Sequence, residues 1–525
     1  MTRKYILALD LGTTGNRAIV FDHGQRIVAR AYEEFRQYYP KPGWVEHDAL
    51  EIWKSTLSVL SKVFKKISPS EIAAIGVTNQ RETVVVWDKK TGRPIHRAIV
   101  WQDRRTASHC ESLKQKGFEK KIHQKTGLVL DPYFSATKIA WILRNVPGAA
   151  KRAAGGQLLA GTVDSWVIWN LTQGKAHVTD ASNASRTMLF NIHARRWDEE
   201  LCRIFKIPTA ILPKIAASSA VVGMLDKSIR DEEIPIAGIA GDQQAAAFAQ
   251  GCFAAGTIKN TYGTGLFLVE NTGSRPIFSK NLLTTVAWSL GNLKNTEYAI
   301  EGSVFIAGAA IQWLRDGLQI LKHSRDCQTL AKTLSTNDDV YFVPALSGLG
   351  APYWDPRARG TIVGLTRGTT RAHIARAALE SIAYQTRDVL EVMRHDAKKK
   401  LKVLRVDGGA GANDWLLQFQ ADILGTKVER PKILETTALG AAGLAGLAVG
   451  FWKNKEEFAR LRRVDKIFNP QMKRSRADAL YARWKDAVRR SRNWVDPLFE
   501  LSYSDKNISR CFSNSRDAIR YLKEL

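Results

Sequence analysis

Two turns rich in Gly and Thr, one in each half of the chain, constrain this sequence more than any other feature. Asp10-Leu11-Gly12-Thr13-Thr14 ends an apolar strand expected over Tyr5–Asp10 and opens a tight turn into a second strand, Arg17–Asp22. Tyr262-Gly263-Thr264-Gly265 lies in the same way between strands expected at Thr257–Thr261 and Leu266–Glu270. A third turn, Asp407-Gly408-Gly409-Ala410-Gly411, follows a strand at Val403–Asp407 and precedes a helix starting near Asn413. Backbone N–H groups and hydroxyls in such turns form a nest for phosphate oxygens, and glycine lets a ligand come close to the backbone. Neither G-x-x-x-x-G-K-[ST] nor a G-x-G-x-x-G after the first strand is present, so a bound nucleotide has to be held by these turns instead. Each alone reads equally well as a plain turn. Three in this order suggest a nucleotide clamped between two domains, with Asp10 placed for Mg²⁺ and Arg17 adding positive charge.

The chain has 525 residues, too many for one compact core, and strands alternate with helices in both halves. The expectation is an α/β protein of two domains, 1–250 and 251–495, divided near Ala245–Gly256, with an appended tail at 496–525. Asp48 is expected to cap a helix carrying Ile52, Leu57, Leu60 and Phe64 on one face, with Glu51 completing a capping box. Further helices are expected at Phe305–Leu321, Arg371–Met393, Asn413–Leu424 and Ala438–Gly450, and strands at Glu71–Thr78, Ile234–Ala240 and Tyr341–Pro344. Five scattered cysteines without C-x-x-C spacing argue against disulfides or zinc. The apolar stretch Ala438–Trp452 is shorter than the ~20 residues that cross a bilayer, and a cytoplasmic protein is expected. The formal charge of +27 attracts anions in general, but its basic residues are interspersed with acids, which favours a solvated surface over nucleic-acid binding.

Acceptor chemistry points to charged strand ends. In Gln80-Arg81-Glu82 an adjacent donor and carboxylate can grip vicinal hydroxyls, although a surface ion pair is the commoner meaning of such a dipeptide. Asp242, in Gly241-Asp242-Gln243-Gln244, is placed to accept the proton of an attacking hydroxyl or simply to cap a helix. Trp101, Tyr133 and Phe267 are candidate walls of a small pocket or ordinary core aromatics.

Taken together these residues resemble the FGGY family of carbohydrate kinases across almost all of 5–490. The resemblance is carried by Asn79–Glu82, Ile99–Gln102, Asp131–Ser135, Gly161–Trp166, Thr179–Asn191, Gly241–Gln244, Asn260–Gly265, Gly364–Gly368 and Leu379–Val389. It implies two actin/ribonuclease-H-like domains flanking a central cleft and transfer of the γ-phosphoryl group of ATP, with Mg²⁺, to a hydroxyl of glycerol. It implies Arg81, Glu82, Tyr133, Asp242 and Gln243 as the polyol set, Trp101 and Phe267 as apolar walls, and Asp242 as general base. Thr13, Thr14, Gly15, Arg17, Thr264, Gly308, Gln312, Gly409 and Asn413 are implied for the nucleotide, and Asp10 with Asp242 for the metal. This chain departs from the family pattern at Leu11 and at Gly15-Asn16, where a phosphate-facing hydroxyl is missing. The basic loop with which some members sense fructose 1,6-bisphosphate is not evident in 226–235, and no histidine stands where some members are phosphorylated. The alternatives are a kinase for another polyol or a ketose, an actin-like nucleotide-dependent binding protein, or a kinase that binds without turnover. Oligomeric state, homodimer or homotetramer, is left open.

Overall fold

The computed structural model describes residues 3–398 and 401–495; the expected tail 496–525, Cys511 included, lies outside the described residues. The first half is built on strands β1 (Tyr5–Leu11), β2 (Gly15–Asp22), β3 (Ile27–Glu34), β4 (Ile72–Asn79), β5 (Ser219–Met224) and β6 (Pro235–Gly241). They form one sheet in the order β5-β6-β4-β1-β2-β3, in which β1, β4 and β6 are parallel and the other neighbours antiparallel. The second half is built on β7 (Ile258–Tyr262), β8 (Leu266–Gly273), β9 (Leu283–Ser289), β10 (Thr296–Val304), β11 (Val403–Asp407), β12 (Lys427–Pro431) and β13 (Val464–Phe468). Their order is β9-β10-β8-β7-β11-β12-β13. In both halves a three-strand antiparallel meander continues into two strands parallel to its first, with a further antiparallel strand at that edge. The two Gly/Thr turns are therefore the same turn of the same motif, used twice.

Alternation along the strands explains the layers. Leu7, Leu9 and Leu11 of β1 pack on α1 (Ala49–Phe64), while Ile6 and Ala8 face the other way. A central strand covered on both faces reads as a continuous apolar run, as β1 does. Asp48 caps α1 by accepting from Leu50 N–H at 2.8 Å. The capping-box expectation is corrected: the Glu51 carboxylate accepts from the Tyr38 hydroxyl at 2.8 Å and the Arg36 N–H at 3.3 Å.

Five more helices position the site: α2 (Asp242–Ala249), α3 (Gly308–Asp316), α4 (Arg371–Ala397), α5 (Asp414–Leu424) and α6 (Thr436–Ala448). Helix α3 is shorter than the expected Phe305–Leu321: the chain first doubles back at the second Gly/Thr turn, where Ala307 and Gly308 N–H groups bond Thr264 and Gly263 carbonyls. Helix α6 comes from the second half of the chain yet lies on β1, β4 and β6 of the first sheet, beside α2. Its approach is backbone to backbone. A Cβ on Gly440 would stand 1.8 Å from the Ala245 carbonyl oxygen, and one on Gly76 of β4 2.2 Å from that of Ala441. A helix buried on all sides is apolar all round, which accounts for its membrane-like composition. No helix among the described residues is long and apolar enough to cross a membrane. The four described cysteines are free and buried.

The segment between β3 and β5 adds a small sheet that the sequence reading did not contain. It runs Gln37–Tyr38, Glu46–His47, Ala98–Ile99, Val84–Asp88, Leu158–Thr162, with helix Ser135–Asn145 packed near it. This insertion carries Trp101 and Tyr133 to the site.

Candidate active site

Arg81, just after β4, is almost fully buried and serves as the hub of a charge network. Its guanidinium makes a bidentate pair with Glu301 of β10, at 2.6 and 2.8 Å, and its Nε approaches Asp242 at 3.2 Å and Glu82 at 3.8 Å. Arg186 pairs with Glu82 at 2.7 Å and with Glu301 at 3.3 Å. Burial pushes the Glu301 carboxyl up, but the Arg186 and Arg81 guanidiniums outweigh it and hold the group at about 2. For Glu82 burial wins over Arg81 and Arg186, and its carboxyl sits above the ordinary value. Glu82 itself adopts φ +62°, a left-handed conformation that costs a non-glycine residue energy and recurs at functional sites. The surface-pair reading of Arg81-Glu82 is thereby excluded: both side chains are 2% exposed.

Asp242 begins α2, at the end of β6. Gln243 N–H at 2.8 Å and Arg81 Nε at 3.2 Å both approach Oδ1, and the side chain is 30% exposed. Burial raises the Asp242 carboxyl above its usual range, against the pull of Arg81 and Lys259. Gln243 receives a short hydrogen bond from Lys259, whose ammonium burial holds down to about 8. Lys259 also donates to Thr261 at 2.7 Å, and Thr261 to Asp407 at 2.6 Å, so Gln243 is tied to the third Gly-rich turn. Around the acceptor position Trp101 meets Tyr133 and Phe267 edge-on, ring centroids 5.8 and 6.1 Å apart. The Tyr133 hydroxyl lies 3.5 Å from Arg81.

Asp10 ends β1 on the same side. Burial pushes its carboxyl up to about 6; Arg17, at 3.5 Å, pulls it down, and the negative charges of Glu435 and Asp242 add to the rise. The Trp101 indole N–H donates to the Thr13 hydroxyl at 3.1 Å, joining the ring cluster to the first Gly/Thr turn. Thr14 is exposed and Arg17 is stacked 4.8 Å over the Tyr32 ring. Gly15 corrects the idea of a missing hydroxyl. A Cβ there would meet the Glu33 carbonyl oxygen at 2.6 Å and the Tyr32 ring at 2.8 Å, so the position demands glycine. Asn16 points away from the turn into the core, donating to Ile52 carbonyl, Ser55 and Thr56 under α1.

Thr264, Gly308, Gln312, Gly409 and Asn413 come together on one cavity of about 490 Å³, beside the turn 262–265. Space beyond Gly409 is open, with nothing within 4 Å of the direction a Cβ would take. Asn413 caps α5 through its side-chain oxygen, which accepts from Leu416 N–H at 3.0 Å. The sequence reading missed Ile311, Arg325 and Gln328 on the same cavity.

Models of both halves of one family match in register with the two sheets: the N-terminal domain of the FGGY family of carbohydrate kinases over residues 5–249, and its C-terminal domain over 258–449. The chain belongs to the FGGY family of carbohydrate kinases. It is similar to the glycerol kinase of Caldanaerobacter subterraneus subsp. tengcongensis, 59% identical over 496 residues that cover 94% of this chain and 99% of that one. The glycerol kinase 2 of Thermotoga maritima is 58% identical over 494 residues, covering 94% and 99%. Among solved structures, Plasmodium falciparum glycerol kinase with ADP superposes with a TM-score of 0.87 at 37% identity, covering 93% of this chain and 98% of that one. A ligand-bound xylulose kinase from Lactobacillus acidophilus reaches 0.82 at 25% identity, covering 93% and 99%. Within this FGGY fold the first half supplies Arg81, Glu82, Arg186 and Asp242, and the second supplies Glu301, Lys259 and the cavity lined by Thr264 and Asn413. Glu301 and Lys259 were not found from sequence; each is a charge within a strand, Lys259 beside Asn260 and Thr261 and Glu301 sharing its strand with Glu297, so neither stands out as a turn residue does.

Proposed function

We propose that this chain catalyses ATP-dependent phosphorylation of glycerol to sn-glycerol 3-phosphate. The observation that carries the reading is the pairing of an Asp242 carboxylate open to the cleft with a buried Arg81 hub, walled by Trp101, Tyr133 and Phe267. The 58–59% identity to proteins named glycerol kinase supports the same acceptor. Arg81, Glu82, Tyr133 and Gln243 hold the polyol, and the three rings leave little room for a longer sugar. Asp242 takes the proton of the terminal hydroxyl; that oxygen forms the new bond to the γ-phosphorus, and the bond from the γ-phosphorus to the bridging oxygen breaks to release ADP. A carboxylate raised above its ordinary value is the stronger base for this step.

The adenosine part of ATP is assigned to the cavity lined by Thr264, Gly308, Gln312, Gly409 and Asn413, and its phosphates to Thr13, Thr14, Gly15 N–H and Arg17. Asp10 and Asp242 are assigned to Mg²⁺. The fit rests on the donor set: oxygen ligands only, with acids crowding Asp10 against one arginine. Among the described residues no group of three protein ligands forms, which suits an ion that keeps waters and takes oxygens from the nucleotide. When bound, that ion neutralises the charge of the transferring phosphoryl group. The domain division near residue 250 belongs to this reading, with β6 and α2 presenting the acceptor side and β7–β8 the nucleotide side. So does a cytoplasmic location, which the free buried thiols support.

Coupled ADP release by the purified protein tests the acceptor. Glycerol is expected to stimulate turnover, and a pentulose to do so poorly; the reverse preference overturns the assignment.

A further inference from the structure

In the segment between β3 and β5, the ends of three helices surround a cavity of about 740 Å³ that shares no lining residue with the one beside the turn 262–265. Lys116 follows helix Ala107–Gln115, Arg144 ends helix Ser135–Asn145, and Arg203 and Lys206 close helix Glu199–Phe205. His109 lies between them. The floor is apolar: Leu113, Leu143 and Phe205 are buried there, with Phe118 and Ile204 partly covered. No acidic side chain among the described residues lines the cavity. Of the acids on these helices, Glu111 pairs with Lys114 and Glu200 with Lys121 and Lys125.

Cations at helix C-termini often do no more than answer the helix dipole, and magnitudes decide whether that suffices. Each C-terminus carries roughly half a negative charge. Three such ends offset about 1.5 of the four positive charges and leave an excess of about 2.5. The excess is felt inside the cavity: burial, then Arg144, Lys116 and Lys206, hold the His109 imidazole below its ordinary value. A phosphate monoester, at about −1.5 to −2 near neutral pH, matches that excess. The apolar floor asks for a hydrocarbon body behind the anionic head, and the volume lies in the range of small-molecule sites.

We propose that this cavity binds an amphipathic phosphate monoester, its head on Lys116, Arg144, Arg203 and Lys206 and its chain on Leu113, Leu143 and Phe205. The same chemistry is offered by a soluble alkyl phosphate and by the headgroup of an anionic lipid. Monodecyl phosphate titrated into the full-length protein, followed by calorimetry, is expected to bind saturably at one site, much tighter than inorganic phosphate or neutral decyl maltoside. The double variant Arg144→Gln/Lys206→Gln is expected to weaken it by about tenfold, the scale of two exposed charge contacts, with glycerol-dependent ADP release unchanged as proof of folding. Flotation with phosphatidic acid vesicles separates the sources. Flotation lost in the variant identifies a membrane headgroup, and decyl phosphate binding without flotation identifies a soluble ligand. Equal binding by variant and parent, or decyl phosphate no tighter than inorganic phosphate, overturns the proposal.

Discussion

Glu301 and Arg81 meet from different sheets, 220 positions apart in sequence, with both guanidinium nitrogens engaged. Removing the charge from one side of a buried pair costs about 3–5 kcal/mol, because the other side is left unmatched. Glu82 and Asp242 remain near Arg81, so the low end is expected. Glu301→Gln should therefore lower stability by about 3 kcal/mol, read as a fall in Tm. It should also raise KM for glycerol, because the acceptor arginine loses its brace. An unchanged Tm and KM would show that the pair does neither. The contrast with Arg81, Glu82 and Asp242 shows what sequence can carry at this scale. Those three stand in runs at strand ends, where turn chemistry makes them visible; Glu301 is one carboxylate in β10, and its meaning lies in a partner on another sheet. Gly15 misled for a related reason, since the crowding that demands glycine comes from Tyr32 and Glu33 on the neighbouring strand.

Two glycines on different elements separate packing from ligand binding. Gly440 sits where α6 touches α2, and a methyl group there would overlap the Ala245 carbonyl; Gly409 faces open space in the nucleotide-side cavity. Gly440→Ala is expected to cost about 1–3 kcal/mol, the usual range for overpacking, and to lower Tm. Gly409→Ala is expected to leave Tm in place and raise KM for ATP. Equal thermal shifts for the two would contradict these roles. Sequence already separates the two, Gly409 in a Gly-rich turn and Gly440 in an expected helix; what it does not show is the placement of α6 on the first sheet, which leaves Gly440 no room for a methyl group. Although β5, β9, β10, β12 and β13 went unread, strands β1, β2, β4, β6, β7, β8 and β11 of the two main sheets were legible, because turn residues bracket each apolar run. The inserted sheet was not, since strands such as Gln37–Tyr38 and Glu46–His47 are two residues long and leave no periodicity to read.

Across the whole molecule the two halves wind their sheets in the same order, and that shared winding sets a Gly/Thr turn on each side of the site. The stability of this assembly has a pH dependence with a readable sign. Burial pushes the Asp388 carboxyl of α4 from 3.8 up to about 7, although Tyr481 at 2.6 Å and Trp484 at 2.9 Å donate to it. A group whose pKa is higher in the folded state contributes fully below its unfolded pKa. For Asp388 that contribution is present below about pH 4 and lost as pH rises through about 7. Asp388→Asn keeps the site neutral, with Tyr481 able to accept from the amide while Trp484 donates to its carbonyl. Urea unfolding across this range should show a shallower loss of stability with pH for the variant than for the parent; identical slopes would contradict the assignment. Asp242 is proposed to act on the glycerol hydroxyl, not only to begin α2. Glycerol-dependent ADP release by Asp242→Asn, with glycerol affinity measured in parallel, tests it most directly. A fall in kcat of about 10²–10⁴-fold is expected, with glycerol binding largely kept. Turnover at the parent rate, or a loss explained wholly by failure to bind glycerol, would contradict it.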